Sequence, residues 1–251
     1  MARRSPCGWL VGAMIWLLVP TWWPTAAAGD VFGPDQVRQI EAIARQYLLA
    51  HPEVIGEVQA LWRAEAVAAR KAEARARIAP YRDRLISAEA AFVAGDPDGS
   101  VTVVEFFDYR CSDCKRWHAD LTELRAQDPD LRVVYREYPI LGSDSTLASR
   151  AAIASRRQGR YLAFHDALMT SRGALMEAAV MEIATETGLD AEQLRTDMSD
   201  PAVQAVIDHN SRLGVALDLL GTPSFIVGDR LLDPWQDIAA LKAMIARQRA
   251  Q

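Results

Sequence analysis

Two cysteines three positions apart, directly after an apolar run of strand length, constrain the fold of this chain more than any other feature. The run, Val101–Phe107, is rich in β-branched and aromatic residues, which is the composition of a buried strand. Cys111 and Cys114 follow it, and residues 114–127 have the pattern of a helix. The sequence therefore predicts a strand that leads through a short turn into a helix, with both thiols at the junction.

The position of this pair predicts thiol–disulfide exchange. Unpaired backbone N–H groups and the helix dipole stabilise a thiolate at the start of a helix, so Cys111 is the expected nucleophile. One turn later, Cys114 can form a disulfide with Cys111 or release a client held in a mixed disulfide. Because a bridge across so short a loop removes little entropy from the unfolded chain, stability is a poor explanation for the pair.

A metal site is an alternative for these residues, because His118 extends the pair to a Cys-x2-Cys-x3-His pattern. Structural zinc takes four ligands, and the sequence has no second cysteine pair. His51, His165 and His209 are scattered along the sequence and need no ligand role. A packing or surface role is expected for His118. We therefore expect no metal and no cofactor.

Residues 1–28 have the layout of a secretory signal peptide. A positively charged start precedes a short apolar run, and small residues ending at Ala28 provide a cleavage site. The apolar run at residues 9–23 contains Pro20 and is shorter than the roughly 20 residues of a membrane span, which argues against an anchor. Cys7 precedes the run and would leave with the signal. Export to the periplasm is the expected outcome.

Residues 29–90 are predicted to form an N-terminal helical arm. Residues 34–79 have a helical pattern that is interrupted only at His51-Pro52. Apolar or small residues recur at spacings of three and four: Val37, Ile40, Ala44, Tyr47, Val54, Val58 and Leu61. This 3.5-residue period favours an oligomerisation stalk that makes a dimer or trimer through residues 34–79. The alternative is an amphipathic helix that lies on its own domain.

Residues 91–251 are predicted to form an α/β domain. A second strand at residues 131–138 is followed by a helical block at about 143–220. Residues 224–232 then predict a hairpin, and residues 236–247 a closing helix. This order favours a parallel strand pair followed by an antiparallel hairpin, with helices over the sheet. The helical block is too long to be a loop and is predicted to be an inserted subdomain.

Two segments resemble the DsbA family of thioredoxin-fold oxidoreductases. Residues 104–115, VEFFDYRCSDCK, resemble the family's active-site strand and turn, and residues 220–225, LGTPSF, resemble its cis-proline loop. The resemblance extends from about Phe92 to the C-terminus. With the helical arm in front, the chain is most similar to the ScsC-type branch (suppressor of copper sensitivity) of disulfide isomerases and reductases. It implies a thioredoxin fold with an inserted helical subdomain, preceded by an N-terminal helical arm.

The resemblance also implies roles for three residues besides the cysteines. Pro223 is expected in the cis form, so that a client backbone can pair with Thr222 across from Cys111. Glu105 matches the family's buried acid, which shuttles a proton for the resolving cysteine. Its apolar neighbours favour burial, which raises the pKa of a carboxyl group. A solvated glutamate at a sheet edge is the alternative for Glu105.

The sequence departs from the strong oxidases of the family at Ser112-Asp113, where those enzymes carry a histidine. Asp113 is expected to repel the thiolate and raise the pKa of Cys111, partly offset by basic neighbours. A less oxidising enzyme is the expected consequence. Thr222, directly before the proline, resembles the isomerase and ScsC branches.

The expected function is an exported thiol–disulfide oxidoreductase that acts as an isomerase or reductase on periplasmic proteins. Its partners would be exported proteins with thiols or disulfides, and a membrane reductase or oxidase that resets the cysteines. The formal net charge of −5 argues against a nucleic-acid partner. The alternatives are a dithiol oxidase that donates disulfides, a copper- or zinc-sequestering thiol protein, and an adaptor that works through its helical arm.

Overall fold

The structure, a computed structural model, describes residues 32–233 and 236–250. The signal peptide predicted for residues 1–28 lies outside these ranges. The chain divides into two compact units, one up to Ala60 and one from Leu61 onward. In the part of the chain that is described, no helix is both long enough and apolar enough to cross a membrane.

The described chain contains both helices and strands, as expected of an α/β protein. The helices are α1 Pro34–Ala50, α2 Glu53–Ile78, α3 Arg82–Ile86, α4 Ser112–Gln127, α5 Ser143–Ser155, α6 Tyr161–Thr170, α7 Glu177–Glu186, α8 Ala191–Asp197, α9 Pro201–Ala216 and α10 Ile238–Arg249. The strands are β1 Phe92–Gly95, β2 Val101–Phe107, β3 Leu131–Glu137, β4 Ser224–Val227 and β5 Arg230–Leu231. The predicted α/β class is confirmed.

The helices predicted for residues 34–79 are present as α1 and α2, and the break falls at the predicted His51-Pro52. Pro34 occupies the first turn of α1, where its missing N–H costs no hydrogen bond. The Gln36 side chain accepts a hydrogen bond from the backbone N–H of Gly33 at 2.9 Å and so caps the N-terminus of α1. Within α1 no residue is buried, and Leu49 is 71% exposed. The stalk role of this segment stays a prediction.

The sheet has the strand order β1-β3-β2-β4-β5. Strands β2 and β3 are parallel, and β4 and β5 form the antiparallel hairpin, as the sequence predicts. Strand β1 was not predicted from the sequence. It is four residues long and pairs antiparallel with β3 through the register Phe92↔Tyr135. A strand this short at the edge of a sheet depends on its partner more than on its own pattern.

Helices cover both faces of the sheet. Alternate residues of β2 belong to two apolar clusters, Val103 and Phe107 to one, Val104 and Phe106 to the other. The first cluster is the larger and includes residues of α4, of the insertion helices α5–α9 and of α10. The predicted insertion at about 143–220 therefore contributes to the same core as the active-site strand.

Arg136 on β3 is a fully buried cation that was not identified from the sequence. Its guanidinium donates hydrogen bonds to the backbone carbonyl of Leu85 at 2.9 and 3.2 Å, to that of Ser87 at 2.9 Å, and to Oδ1 of Asn210 at 3.0 Å. Burial lowers its pKa to about 10, so it is still charged at neutral pH. This side chain fixes the segment before β1, and thereby β1 itself, to the sheet.

Candidate active site

Both cysteines lie at the predicted junction of β2 and α4. Cys111 is the N-cap of α4, and its Sγ accepts a hydrogen bond from the backbone N–H of Cys114 at 3.4 Å. Helix α4 begins at Ser112, two residues before the predicted start. Cys111 is partly exposed, Cys114 is buried, and both are free thiols. One thiol is thus open to solvent at the positive end of a helix, and the other is shielded behind it.

The loop between α9 and β4 lies against Cys111. The peptide bond between Thr222 and Pro223 is cis, as the resemblance implies. As a neutral thiol, Cys111 donates a hydrogen bond from its Sγ to the carbonyl oxygen of Thr222 at 3.0 Å. The cysteine pair and the cis-proline loop are far apart in the sequence but are therefore adjacent in the structure.

The surroundings of Cys111 lower the pKa of its thiol to about 6. The hydrogen bond with the Cys114 side chain contributes most, and partial burial of the thiol acts in the opposite direction. The Thr222 side chain and the backbone N–H groups of Cys114 and Asp113 also stabilise the thiolate. At neutral pH, Cys111 is therefore ionised in most molecules.

Asp113 was expected to raise the pKa of Cys111, but the net shift of this pKa is downward. The Asp113 carboxylate accepts a hydrogen bond from the guanidinium of Arg116 at 2.8 Å, and both side chains are largely exposed. Its charge is thus paired and screened by water. The backbone N–H of the same residue, in the first turn of α4, favours the thiolate. Hydrogen bonds to the sulfur, of which the one with the Cys114 side chain contributes most, set the direction of the shift.

Glu105 lies in β2, the strand between β3 and β4, and is buried. Burial, together with the charges of Cys111 and Glu137, raises the pKa of its carboxyl group to about 8. Its Oε1 has no hydrogen-bond partner among the described residues. Burial likewise raises the pKa of Cys114, with contributions from the hydrogen bond to Cys111 and from the charge of Glu105. The solvated alternative for Glu105 is excluded.

Asp108 organises the turn before Cys111 and was not identified from the sequence. Its Oδ1 accepts hydrogen bonds from the backbone N–H of Arg110 and from the hydroxyl of Ser145, both at 2.8 Å. Its Oδ2 accepts from the N–H groups of residues 140–141 at 2.8 and 3.0 Å. An aspartate directly after a buried strand, at a predicted turn, is the signal that could have identified it.

A second buried carboxyl group, Glu137 at the end of β3, was also missed. It accepts hydrogen bonds from the hydroxyls of Tyr109, Tyr161 and Ser149 at 3.0, 2.7 and 2.7 Å. Burial raises its pKa to about 8, although these three hydroxyls act to lower it. This network joins the active-site turn to helices α5 and α6 of the insertion.

Comparison with known proteins identifies the family. The DSBA-like thioredoxin domain matches residues 102–246, and the N-terminal domain of the copper resistance protein ScsC matches residues 36–69. The chain belongs to the DSBA-like thioredoxin family. The predicted likeness to DsbA and ScsC proteins is confirmed, as is the thioredoxin fold with a helical insertion and N-terminal helices.

Three solved structures illustrate the likeness. A thioredoxin-like oxidoreductase from Silicibacter pomeroyi DSS-3 is 47% identical, with a TM-score of 0.66, over 68% of this chain and 98% of that one. Proteus mirabilis ScsC in a transitional conformation is 26% identical, with a TM-score of 0.64, over 87% and 99%. A periplasmic thioredoxin-like protein from Salmonella enterica serovar Typhimurium is 27% identical, with a TM-score of 0.61, over 66% and 94%.

Curated sequence relatives include much longer proteins. The Na(+)/H(+) antiporter NhaA of Herminiimonas arsenicoxydans is 30% identical over 165 residues, which are 65% of this chain and 26% of the antiporter. The chain thus spans about a quarter of the length of that relative.

The ionisation of Cys111 can be measured directly. Thiolate absorbance near ~240 nm and the rate of alkylation by iodoacetamide should both follow a titration with a midpoint of about 6 in the reduced protein. Cys111→Ser should abolish this transition. Cys114→Ala should raise the midpoint by about one pH unit or more, because the largest stabilising hydrogen bond is lost. A midpoint above about 8 in the unmodified protein would contradict the assignment.

Proposed function

We propose that the protein is an exported thiol–disulfide oxidoreductase that reduces or isomerises disulfides of other exported proteins. The observation that carries the proposal is the place of the Cys111 thiol, which caps α4 and lies 3.0 Å from the carbonyl oxygen of Thr222. A partly exposed thiol with a pKa of about 6 is ionised at neutral pH and can attack a client disulfide. The buried Cys114 is shielded from clients yet adjacent to Cys111.

The exchange proceeds in two steps in the reductive direction. The Cys111 thiolate attacks one sulfur of a client disulfide, and the second client sulfur leaves as a thiolate. Cys114 then loses its proton and attacks the Cys111 sulfur, which releases the client with both sulfurs reduced. Two electrons have passed to the client, and the protein carries the disulfide. In isomerisation a client thiolate attacks the mixed disulfide instead, and the Cys111 thiolate is regenerated.

Glu105 is the proposed proton acceptor for Cys114. The raised pKa of Cys114 keeps this thiol neutral until it attacks, so its proton must be removed during the second step. Glu105 has a pKa of about 8, which the charge of Cys111 helps to raise, and an Oε1 without a hydrogen-bond partner in the described structure. In the mixed disulfide that charge is gone, so the pKa of Glu105 falls and the carboxylate form that accepts the proton is more populated. The effect of its charge on the pKa of Cys114 supports the proximity of the two groups.

The pKa of Cys111 supports a reductase or isomerase over a strong oxidase. A strong DsbA oxidase has a nucleophilic thiol with a pKa of about 3.5, and thioredoxin, a reductant, has one of about 7. A strong oxidant is one whose reduced form is greatly stabilised. With a pKa of about 6, the reduced form of this protein is stabilised less, and it releases its electrons more readily.

The helical arm is proposed to join several copies of the chain. Large apolar side chains of α1 are exposed, among them Ile40 at 46%, Tyr47 at 55% and Ile43 at 67%. A row of exposed apolar residues at heptad spacing is stable in water when it packs against the same row of other chains. The match of residues 36–69 to the ScsC N-terminal domain supports this assignment.

The protein is proposed to act in the periplasm, on exported client proteins and with a membrane reductase. The signal-like residues 1–28 and the likeness to a Salmonella protein described as periplasmic support a periplasmic location. An enzyme that reduces clients ends each cycle as a disulfide, so a membrane reductase is proposed to return Cys111 and Cys114 to thiols. Clients would be exported proteins with incorrect disulfides.

Refolding of scrambled ribonuclease tests the activity. With reduced glutathione present, the protein should restore ribonuclease activity, and Cys111→Ser should abolish this because the attacking sulfur is lost. Cys114→Ser should accumulate mixed disulfides with the substrate, because the resolving sulfur is lost. Asp113→Asn, whose carboxylate is paired at the surface, is the matched control and should change the rate less than about twofold. Oxidation of reduced ribonuclease without recovery of the scrambled form would favour the dithiol oxidase instead.

The role of Glu105 is tested by Glu105→Gln, which keeps the size of the side chain and removes its proton affinity. The release of a mixed disulfide by Cys114 should slow by about tenfold to a hundredfold near pH 7, whereas attack by Cys111 should change little. Quenched-flow trapping separates the two steps. Glu123→Gln, at an exposed position of α4, is the control. An unchanged rate of release would exclude Glu105 as the proton acceptor.

The arm is tested by light scattering on the protein without its signal peptide. The unmodified protein should have the mass of a dimer or trimer. Replacing Ile40 and Tyr47 by aspartate should yield monomers, because it places charges in the apolar row. Arg45→Asp, also exposed on α1, is the matched control and should leave the mass unchanged. A monomeric unmodified protein would remove the basis for the stalk.

A further inference from the structure

Three metal-ligating side chains come together beside the cysteine helix, and the proposed function does not use them. They are His118 on α4 and His165 and Asp166 on α6, with one ligand atom of each within 4.8 Å of the others. The Nε2 of His118 lies 3.5 Å from Oδ1 of Asp166. Ligands of a tetrahedral zinc ion with bonds of about 2.1 Å are ~3.4 Å apart, so this pair has the separation of two ligands of one ion. A movement of at most about 1.4 Å brings the third ligand atom within range.

The hydrogen bonds of His165 leave one of its ring nitrogens available. The Tyr109 hydroxyl donates to Glu137 at 3.0 Å, so its oxygen accepts a hydrogen bond from Nδ1–H of His165, also at 3.0 Å. The proton on Nδ1 leaves a lone pair on Nε2, which is buried and has no partner among the described residues. A metal-binding histidine is oriented in this way, by a hydrogen bond from its other nitrogen.

Asp166 also has an unsatisfied atom in this cluster. Its Oδ1 is buried without a hydrogen-bond partner in the described chain, although the rest of the side chain reaches solvent. A buried polar atom without a hydrogen-bond partner destabilises the folded protein. Both Nε2 of His165 and Oδ1 of Asp166 are in this situation. A bound cation would satisfy both atoms at once.

The cluster is accessible from solvent. A cavity of about 760 Å³ is lined by His118 and Asp166, together with Lys115 and residues at the end of α6. The ammonium group of Lys115 is held by the carbonyl oxygens of Leu168 and Ser171 at 3.0 and 2.7 Å, so its hydrogen bonds are directed to the backbone. An ion can therefore enter from the cavity, and water in the cavity can complete its coordination.

We propose that His118, His165 and Asp166 form a binding site for a divalent cation, zinc(II), with a water molecule as the fourth ligand. Two imidazoles and one carboxylate suit zinc, whereas magnesium and calcium prefer oxygen ligands alone. The site goes beyond the proposed thiol chemistry and needs neither Cys111 nor Cys114. It replaces the expectation that His118 and His165 have no ligand role.

The test measures zinc binding in a protein whose thiols cannot compete. The protein is purified without a histidine tag and carries Cys111→Ser and Cys114→Ser. Isothermal calorimetry with zinc(II) should give one ion per chain, and the visible absorbance of cobalt(II) should report tetrahedral coordination. Adding His118→Gln or Asp166→Asn should weaken zinc binding at least tenfold.

A matched control and a decisive variant complete the experiment. His209→Gln, at a partly buried histidine of α9, should bind zinc like the parent protein. Asp166→Asn keeps the size of a side chain that borders the cavity, so it decides the result even if His118→Gln fails to fold. No zinc binding by the parent, or equal affinity in the parent and Asp166→Asn, overturns the proposal. Failure here would leave the ribonuclease result unaffected, because that assay depends on the thiols.

Discussion

The chemistry of this protein depends on one sulfur held at the N-terminus of α4. The ring of Trp117, on the buried side of that helix, lies 4.7 Å from the ring of Phe225, two residues after Pro223. This contact joins the helix to the strand that follows the proline loop. The packing of the core thereby sets the distance between Cys111 and Thr222. Because the hydrogen-bond donors around the sulfur are already in place, ionisation requires little rearrangement, and the thiol pKa falls although the group is half-buried.

Two buried carboxyl groups near this site have the same raised pKa and different surroundings. Glu137 receives three hydroxyl hydrogen bonds, which hold it in place between the sheet and the insertion. Glu105 has an oxygen without a partner among the described residues and lies near two thiols. Burial alone accounts for the direction of both pKa shifts. Hydrogen bonding thus distinguishes a carboxyl group with three hydroxyl partners from one that has an oxygen without a partner in the described structure.

Apolar side chains are buried in the thioredoxin domain but exposed in helix α1 of the arm. In the domain, apolar residues of strands and helices are covered by two clusters, one on each face of the sheet. In α1 the apolar row remains exposed, because a lone helix has no layer to pack against. Exposed apolar side chains at this spacing are typical of a helix that packs against other chains.

Local pattern was enough to predict most elements and both motifs. The β-branched run, the cysteine spacing and the helical periods each carry their meaning within a few residues, so the α/β class, the helices of the arm and the cysteine site could be predicted. The cis form of Pro223 was implied only by the family resemblance. Packing between distant segments decided the rest. Strand β1 forms because it pairs with β3. Arg136 can be buried because its guanidinium donates to backbone carbonyls some fifty residues earlier in the chain. His118 and His165 come together because α6 packs against α4. The pKa of Cys111 also depends on the tertiary structure. Hydrogen-bond geometry determines the direction of its shift, and this geometry cannot be read from the charges nearby in the sequence.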